Sequence, residues 1–227
     1  LAGVAKAMKE AEREEEAHQL LDTLMPRLNT TQAVNEAIGY LSAMQPGEEA
    51  ARFLGFVTTW SIAGPFPWSM DNGFDKTNVN EPDVDLDAAY DSEAAEGGRV
   101  AWQLHTTGDA RGLVNLMGAV GAFDHVCAYA FAQIEVPEAT DAVVRCGSDD
   151  GIKVWVNGEA VVENNVDRGS AIDQDQGATK LVAGVNDILV ECTQNGGGWN
   201  FLLRLTHPDG TVLPFEQVPM NEPKTEE

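Results

Sequence analysis

Positive charge is what this sequence has least of. Its 14 Lys and Arg stand against 37 Asp and Glu in 227 residues, a formal net charge of −23 at pH 7. A surface of that sign repels phosphate backbones and anionic lipid heads, so nucleic acid and membrane surfaces are not expected partners. Neutral or cationic ligands and hard cations such as calcium remain, and solubility alone also accounts for acidity. Apolar runs are short as well, none approaching a membrane span, so membrane insertion is not expected. No signal peptide is visible, and the chain opens at Leu1 rather than Met, which reads as a processed or excised fragment. Cysteine is scarce. Cys127, Cys146 and Cys192 each sit in an apolar, strand-like run without CxxC or zinc spacing, and they read as buried thiols acting as small hydrophobes. A bridge between Cys146 and Cys192 is the alternative if their strands are neighbours. Catalytic signatures are missing too. His18, His105, His125 and His207 are scattered, and there is no HExxH, GxSxG, P-loop or GxGxxG after a strand. No enzyme is expected.

What is present divides near residue 48. Val4, Met8, Ala11, Ala17, Leu20, Leu21 and Leu24 recur at three- and four-residue spacing, with the charged block KEAEREEEAH between them. Pro26 interrupts the pattern, Asn29 or Thr30 can cap a second helix, and Val34, Ala37, Ile38, Leu41 and Met44 share its face until QPG stops it. Residues 1–48 therefore read as a helical hairpin, or as the last unit of a helical repeat array. From 49 to 218 the texture is β. RVAWQL places Val100, Trp102 and Leu104 on one face. VCAYAFAQIEV places Ala128, Ala130, Ala132 and Ile134 on one side and Tyr129 and Phe131 on the other. Short strands between Gly, Asn and Asp turns, without βαβ alternation, predict an antiparallel sandwich. Met70 to Ala95 is acidic with few periodic apolar positions and reads as a long surface loop; GPFPW reads as a stiff turn plugging one end of the sandwich; residues 219–227 read as a flexible tail.

The stretch GSDDGIKVWVNGEAV, Gly147 to Val161, carries the chemistry. Asp149-Asp150-Gly151 and Asn157-Gly158 are turn signals, and two tight turns around a strand account for both aspartates by themselves. Adjacent on one turn, those carboxylates diverge rather than face each other across about 5–10 Å as glycoside hydrolysis requires. Ile152, Val154 and Val156 share the core face. Lys153, Trp155 and Asn157 share the other, where an aromatic among hydrogen-bonding groups suits a sugar ring. Alternatively, the helical hairpin or a loop covers Trp155. Trp199 is in phase with Phe201, Leu203 and Leu205, which suits the core, or it stands at the rim as a stacking platform. Asn200 and Arg204 point the other way; Arg204 would clamp a carboxylate or pair with an aspartate. Asp173 and Asp175 form a D-x-D that either offers two hard oxygen ligands or is a solvated turn, and Asp71, Asp75, Asp83 and Asp85 make a second acidic cluster. Trp60, Trp68 and Trp102 are expected in the core.

This stretch, followed by DRGSAIDQDQGATKLVAGVNDILVECTQNGGGWNFLLRL, resembles galactose-binding-like β-sandwich modules of the type found in large multidomain planctomycete-type bacterial proteins. WSIAGPFPW and VDLDAAY followed by VAWQL resemble the start of the same modules, so the likeness covers about Phe53 to Leu213. Its most specific element is the ordered set of DDG, WVNG, LVAGVN and GGGWNF. The resemblance implies a jelly-roll sandwich after the N-terminal helical hairpin, and a non-catalytic carbohydrate-binding module of a larger extracytoplasmic protein. It implies a polysaccharide or oligosaccharide as partner beside the other domains of the parent chain, and a structural calcium ion. Trp155 or Trp199 would stack on the sugar, and Asp149, Asp150, Lys153, Asn157, Asn200 and Arg204 would supply hydrogen bonds. The alternative is a structural or protein-interaction module without a glycan ligand.

Overall fold

The computed structural model describes Thr23, residues 28–44 and residues 46–220. Apart from Thr23, the first expected helix, Val4 to Leu24, lies outside these residues. The second is α1, Thr31–Met44. It starts where Thr30 Oγ1 accepts a hydrogen bond from Ala33 N at 3.2 Å, the capping role its hydroxyl suits.

A further helix, α2 (Gly47–Phe53), occupies residues whose texture suggests the beginning of the β region. Its local chemistry favours helix. Glu48 and Glu49 stand in the first turn, Arg52 in the last, and Arg52 Nη2 meets Glu48 Oε1 at 2.7 Å one turn apart.

The β region forms two antiparallel sheets. The larger runs β4 (Gln103–Thr106), β1 (Thr59–Pro67), β6 (Val126–Val136), β11 (Gly184–Gln194), β8 (Ile152–Val156), β9 (Glu159–Asn164), with β13 (Glu216–Gln217) also on β6. The smaller runs β10 (Asp175–Leu181), β7 (Thr140–Asp149), β12 (Asn200–Thr206), β5 (Val114–Asn115). Successive strands β6, β7 and β8, and later β9 to β12, alternate between the two sheets, the crossing habit of jelly rolls. Between β5 and β6 stands a single turn, α3 (Leu116–Ala119), and β2 (Ala89–Asp91) and β3 (Arg99–Ala101) form a separate hairpin.

Period-two alternation sends side chains to two different places. Ala128, Ala130, Ala132 and Ile134 of β6 meet Val144, Phe201, Leu203 and Leu205 of the smaller sheet in the central core. Trp60 and Phe201 pack edge to face at 5.2 Å. Cys127, Tyr129 and Phe131, the other phase, lie on the back of the larger sheet in a second core with Trp68, Val79, Val100, Trp102, Trp155 and Leu189. Residues 69–88, hereafter the strap, and the β2–β3 hairpin cover that back face. Val79 is buried, and Val84 and Leu86 pack beside it, so the acidic stretch is pinned by a few apolar pegs. Leu104, expected with Val100 and Trp102, is exposed. Helices α1 and α2 cover the smaller sheet with Val34, Leu41, Ala50, Ala51 and Leu54 against Phe56, Ile172 and Leu202.

Two local expectations need correction. GPFPW is no end plug. β1 continues through Phe66 and Pro67 on β6, with a register shift between Ala63 and Phe66 that accommodates Pro65. Cys146 and Cys192 form no bridge; all three cysteines are free and buried, and these two stand on opposite sheets.

Gly177 sits where β9 passes over β10, and a Cβ there would fall onto the Val161 carbonyl oxygen. Gly177→Ala is expected to lose about 1–3 kcal/mol in urea unfolding, because rigid backbone must move. Gly169, with nothing within 4 Å, is the control and should tolerate the same change.

Candidate functional site

The two turns of the central motif fold as turns, and most of their polar groups hold the fold. Asp150 is 1% exposed and ties three segments together. Its Oδ1 accepts from Arg168 N at 3.0 Å and its Oδ2 from Asn195 N at 2.8 Å. The peptide bond between Asp149 and Asp150 is cis. Asp149 is left beside the glycine loop, where a Cβ on Gly198 would press on its Oδ2. Its carboxyl is raised above the usual carboxylate range by burial, then by the charges of Asp150 and Asp167. Asn200 stands opposite Asp149 in the ladder, and its Oδ1 is buried without a hydrogen-bond partner. Asn157 adopts a positive φ and locks two turns, its Nδ2 donating to Asn186 Oδ1 at 2.8 Å and its Oδ1 accepting from Asp187 N at 2.9 Å.

The expected stacking platforms are not available. Trp199 is fully buried in the central core, with Nε1 donating to the Cys192 carbonyl at 3.2 Å. Trp155 does leave the central core, as its phase requires, but it is only 7% exposed because the strap side of the molecule covers it. Lys153 lies over its ring at 5.0 Å and pairs with Glu163 at 2.8 Å. Arg204 is no ligand clamp. It is buried beneath the helices, and its Nε and Nη2 each meet an Asp173 oxygen at 2.7 Å.

The aspartates of the calcium reading, Asp173 and Asp175, are both engaged by side chains of the protein. Asp173 gives both oxygens to Arg204 and accepts from Thr31 Oγ1 at 2.9 Å. Asp175 pairs with Arg168 and accepts from Asn164 Nδ2 at 2.8 Å. The two carboxylates serve separate cations of the protein instead of converging on one. Among the described residues no group of three or more His, Cys, Asp or Glu is placed to hold a metal ion.

A groove that the motifs do not announce opens elsewhere. It has about 770 Å³ and lies between α2 and the segment after β12, lined by Glu49, Arg52 and Phe53 on one side and by His207 and residues 211–217 on the other. Phe53 is 36% exposed and Phe215 is half-buried. The second wall is fastened by Gln217, whose Oε1 accepts from Thr58 N at 3.1 Å and Thr59 N at 3.2 Å and whose Nε2 donates to the Thr59 carbonyl. The signal lay in FLGF and VLPFEQV, but each reads alone as an ordinary apolar segment; their meeting depends on a chain return of about 160 residues.

The fold and this groove define a helix-covered β-sandwich domain. No family model matches the chain, and no curated protein matches it. Among solved structures, the PA14 domain of the antifreeze protein MpAFP is similar with 16% identity and a TM-score of 0.35, covering 44% of this chain and 55% of that one. An anti-sigma factor domain-containing protein is similar with 13% identity and a TM-score of 0.40, covering 74% and 50%. A PA14 sugar-binding domain from an RTX adhesin is similar with 14% identity and a TM-score of 0.35, covering 71% and 96%. The chain thus spans about half the length of the first two. Likenesses at this level place no function on the chain. Among the described residues no helix is long and apolar enough to cross a membrane.

Proposed function

We propose that this chain is a non-catalytic carbohydrate-binding module of a larger extracytoplasmic bacterial protein, and that it binds glycan in the groove between α2 and residues 211–217. One observation carries the site: Phe53 and Phe215 line an open groove of about 770 Å³ beside Glu49, Arg52, His207 and Glu216. A ring face suits the C–H face of a sugar, charged and imidazole groups suit its hydroxyls, and the volume is that of a ligand pocket. The class of ligand rests on the sequence resemblance and on this chemistry. The extracytoplasmic setting rests on the resemblance alone.

The test is retardation in native gels cast with a panel of soluble polysaccharides. One glycan should retard the protein. Phe53→Ala and Phe215→Ala should each weaken retention by about two- to tenfold, corresponding to the roughly 0.5–1.5 kcal/mol of an aromatic contact. Retention unchanged in both variants would move the site elsewhere. The apolar share of the lining, Val212, Leu213 and Pro214 beside the two rings, supports a second reading, a docking groove for another domain. Under that reading no glycan of the panel retards the protein.

A further inference from the structure

The back of the larger sheet holds a concentration of unsatisfied polar atoms. Among the described residues, both carboxylate oxygens of Glu191, Glu81 Oε1, Tyr129 Oη, Tyr90 Oη and Trp102 Nε1 are buried there without a hydrogen bond of good geometry, although Tyr129 lies close enough to both glutamates, and Cys127 to Glu191, to interact with them. Glu191 is 1% exposed and projects from β11 toward the strap, which carries Glu81. Cys127 and Tyr129 of β6 face it from one side. Lys153 of β8 stands opposite it in the ladder on the other, with its ammonium group engaged by Glu163 of β9 at 2.8 Å. Two carboxyls and a phenol therefore meet beneath the strap, Glu191 fully buried and Glu81 half-buried, and the nearest cation is directed at a third carboxylate.

The strap is fastened lightly. Residues 69–88 belong to no strand ladder. Their backbone hydrogen bonds are local, as from Asn72 and Gly73 to Ser69, Asp75 to Asn72, Glu81 to Val79 and Ala88 to Asp85. Among the described residues three side-chain hydrogen bonds tie the strap to its surroundings: Trp68 Nε1 donates to the Gly73 carbonyl at 2.7 Å, Asn165 Nδ2 to the Met70 carbonyl at 3.0 Å, and Asn78 Nδ2 to Cys127 Sγ at 3.5 Å. The segment carries six carboxylates, Asp71, Asp75, Glu81, Asp83, Asp85 and Asp87, against the single Lys76. A negative strap thus lies over an acid that burial keeps from water.

We propose that the strap is a proton-latched lid: it stays on the sheet while Glu191 and Glu81 face each other with at least one proton between them, and it lifts when Glu191 ionises. Lifting uncovers Tyr129, Lys153 and Trp155 together, the aromatic and polar face that lies hidden in the closed form.

The direction with pH follows from the burial. Desolvation, then the charge of Glu81, pushes the Glu191 carboxyl up to about 8, while Cys127, Tyr129 and Lys153 draw it down. Burial raises Glu81 as well, with Tyr129 and Lys153 opposing. With the lid open, a hydrated glutamate would titrate near its ordinary value of about 4.3. The closed form therefore holds the extra proton between about 4.3 and 8. Its advantage is complete below that window, is lost as pH rises through it, and levels off above.

Hydrogen exchange of the strap peptide, with intrinsic exchange rates divided out, tests this between pH 5.5 and 8. Protection should fall by up to about tenfold per pH unit, while amides of β6 and β12 stay protected. Glu191→Gln, which removes the titrating proton, should flatten the slope, and Glu138→Gln, at an exposed glutamate after β6, should retain it. Flat protection in the unmodified protein overturns the proposal. So does an unchanged slope in Glu191→Gln. Should that variant fail to fold, Glu81→Gln must reduce the slope, and an unreduced slope there also overturns it.

Discussion

Arg204→Ala should remove about 3–5 kcal/mol of stability, because it leaves the Asp173 carboxylate buried without its cation. The guanidinium and the carboxylate side chains are only 1% and 3% exposed, so water screens the pair little. Urea unfolding at pH 7 measures the loss, and a change below about 1 kcal/mol would show that the pair does not hold this layer. Replacing both partners, as in Arg204→Met with Asp173→Asn, should recover part of the loss, since no charge is then stranded and Asn tolerates the positive φ of this position. The pH dependence has a definite sign. Burial alone would raise the Asp173 carboxyl, but the hydrogen bonds and charge of Arg204, then Thr31 and Arg145, hold it below its ordinary value. Its contribution is present above about 3.9, the unfolded value, and is lost as pH falls through the lower folded value. Because Thr31 opens α1 and donates to Asp173, acid should loosen the attachment of that helix to the sandwich.

Trp199→Ala is expected to cost about 3–5 kcal/mol as well, by opening a cavity among Phe201, Leu203 and the opposing strands. Any loss of glycan retention in this variant should then accompany loss of near-ultraviolet circular dichroism and a lowered melting temperature. Retained stability with lost binding would return Trp199 to the role of a platform. Phe53, at the rim, provides the contrast: Phe53→Ala should weaken binding with the fold intact.

The turns and the strand phases were legible. Asn157-Gly158 turns where the dipeptide says it should, and Ile152, Val154 and Val156 enter the core as alternation requires. The row from Ala128 to Ile134 separates from Tyr129 and Phe131 for the same reason. The candidate site was much less legible. Trp155 was placed on the correct face, yet that face is covered, because Val79, Val84 and Leu86 pin a segment whose apolar residues are too sparse to show a period. Arg204 was correctly turned away from the core, yet what awaits it is Asp173, from a distant loop. Phe53 belongs to a helix whose seven residues are too few to show periodicity.

Which side of a strand a residue occupies is a local property, fixed by backbone geometry two residues at a time. Turn type, the start of α1 and the acid balance are local or compositional in the same way, and they were decided before the chain folded. Whether a given face then meets water, a helix or a strap is not local. It depends on where segments far apart in the chain come to rest, and on how much apolar area each finds to bury. That is why the outer faces of both sheets, the meeting of α2 with residues 211–217, and the enclosure of Glu191 beneath Glu81 were decided only by tertiary packing.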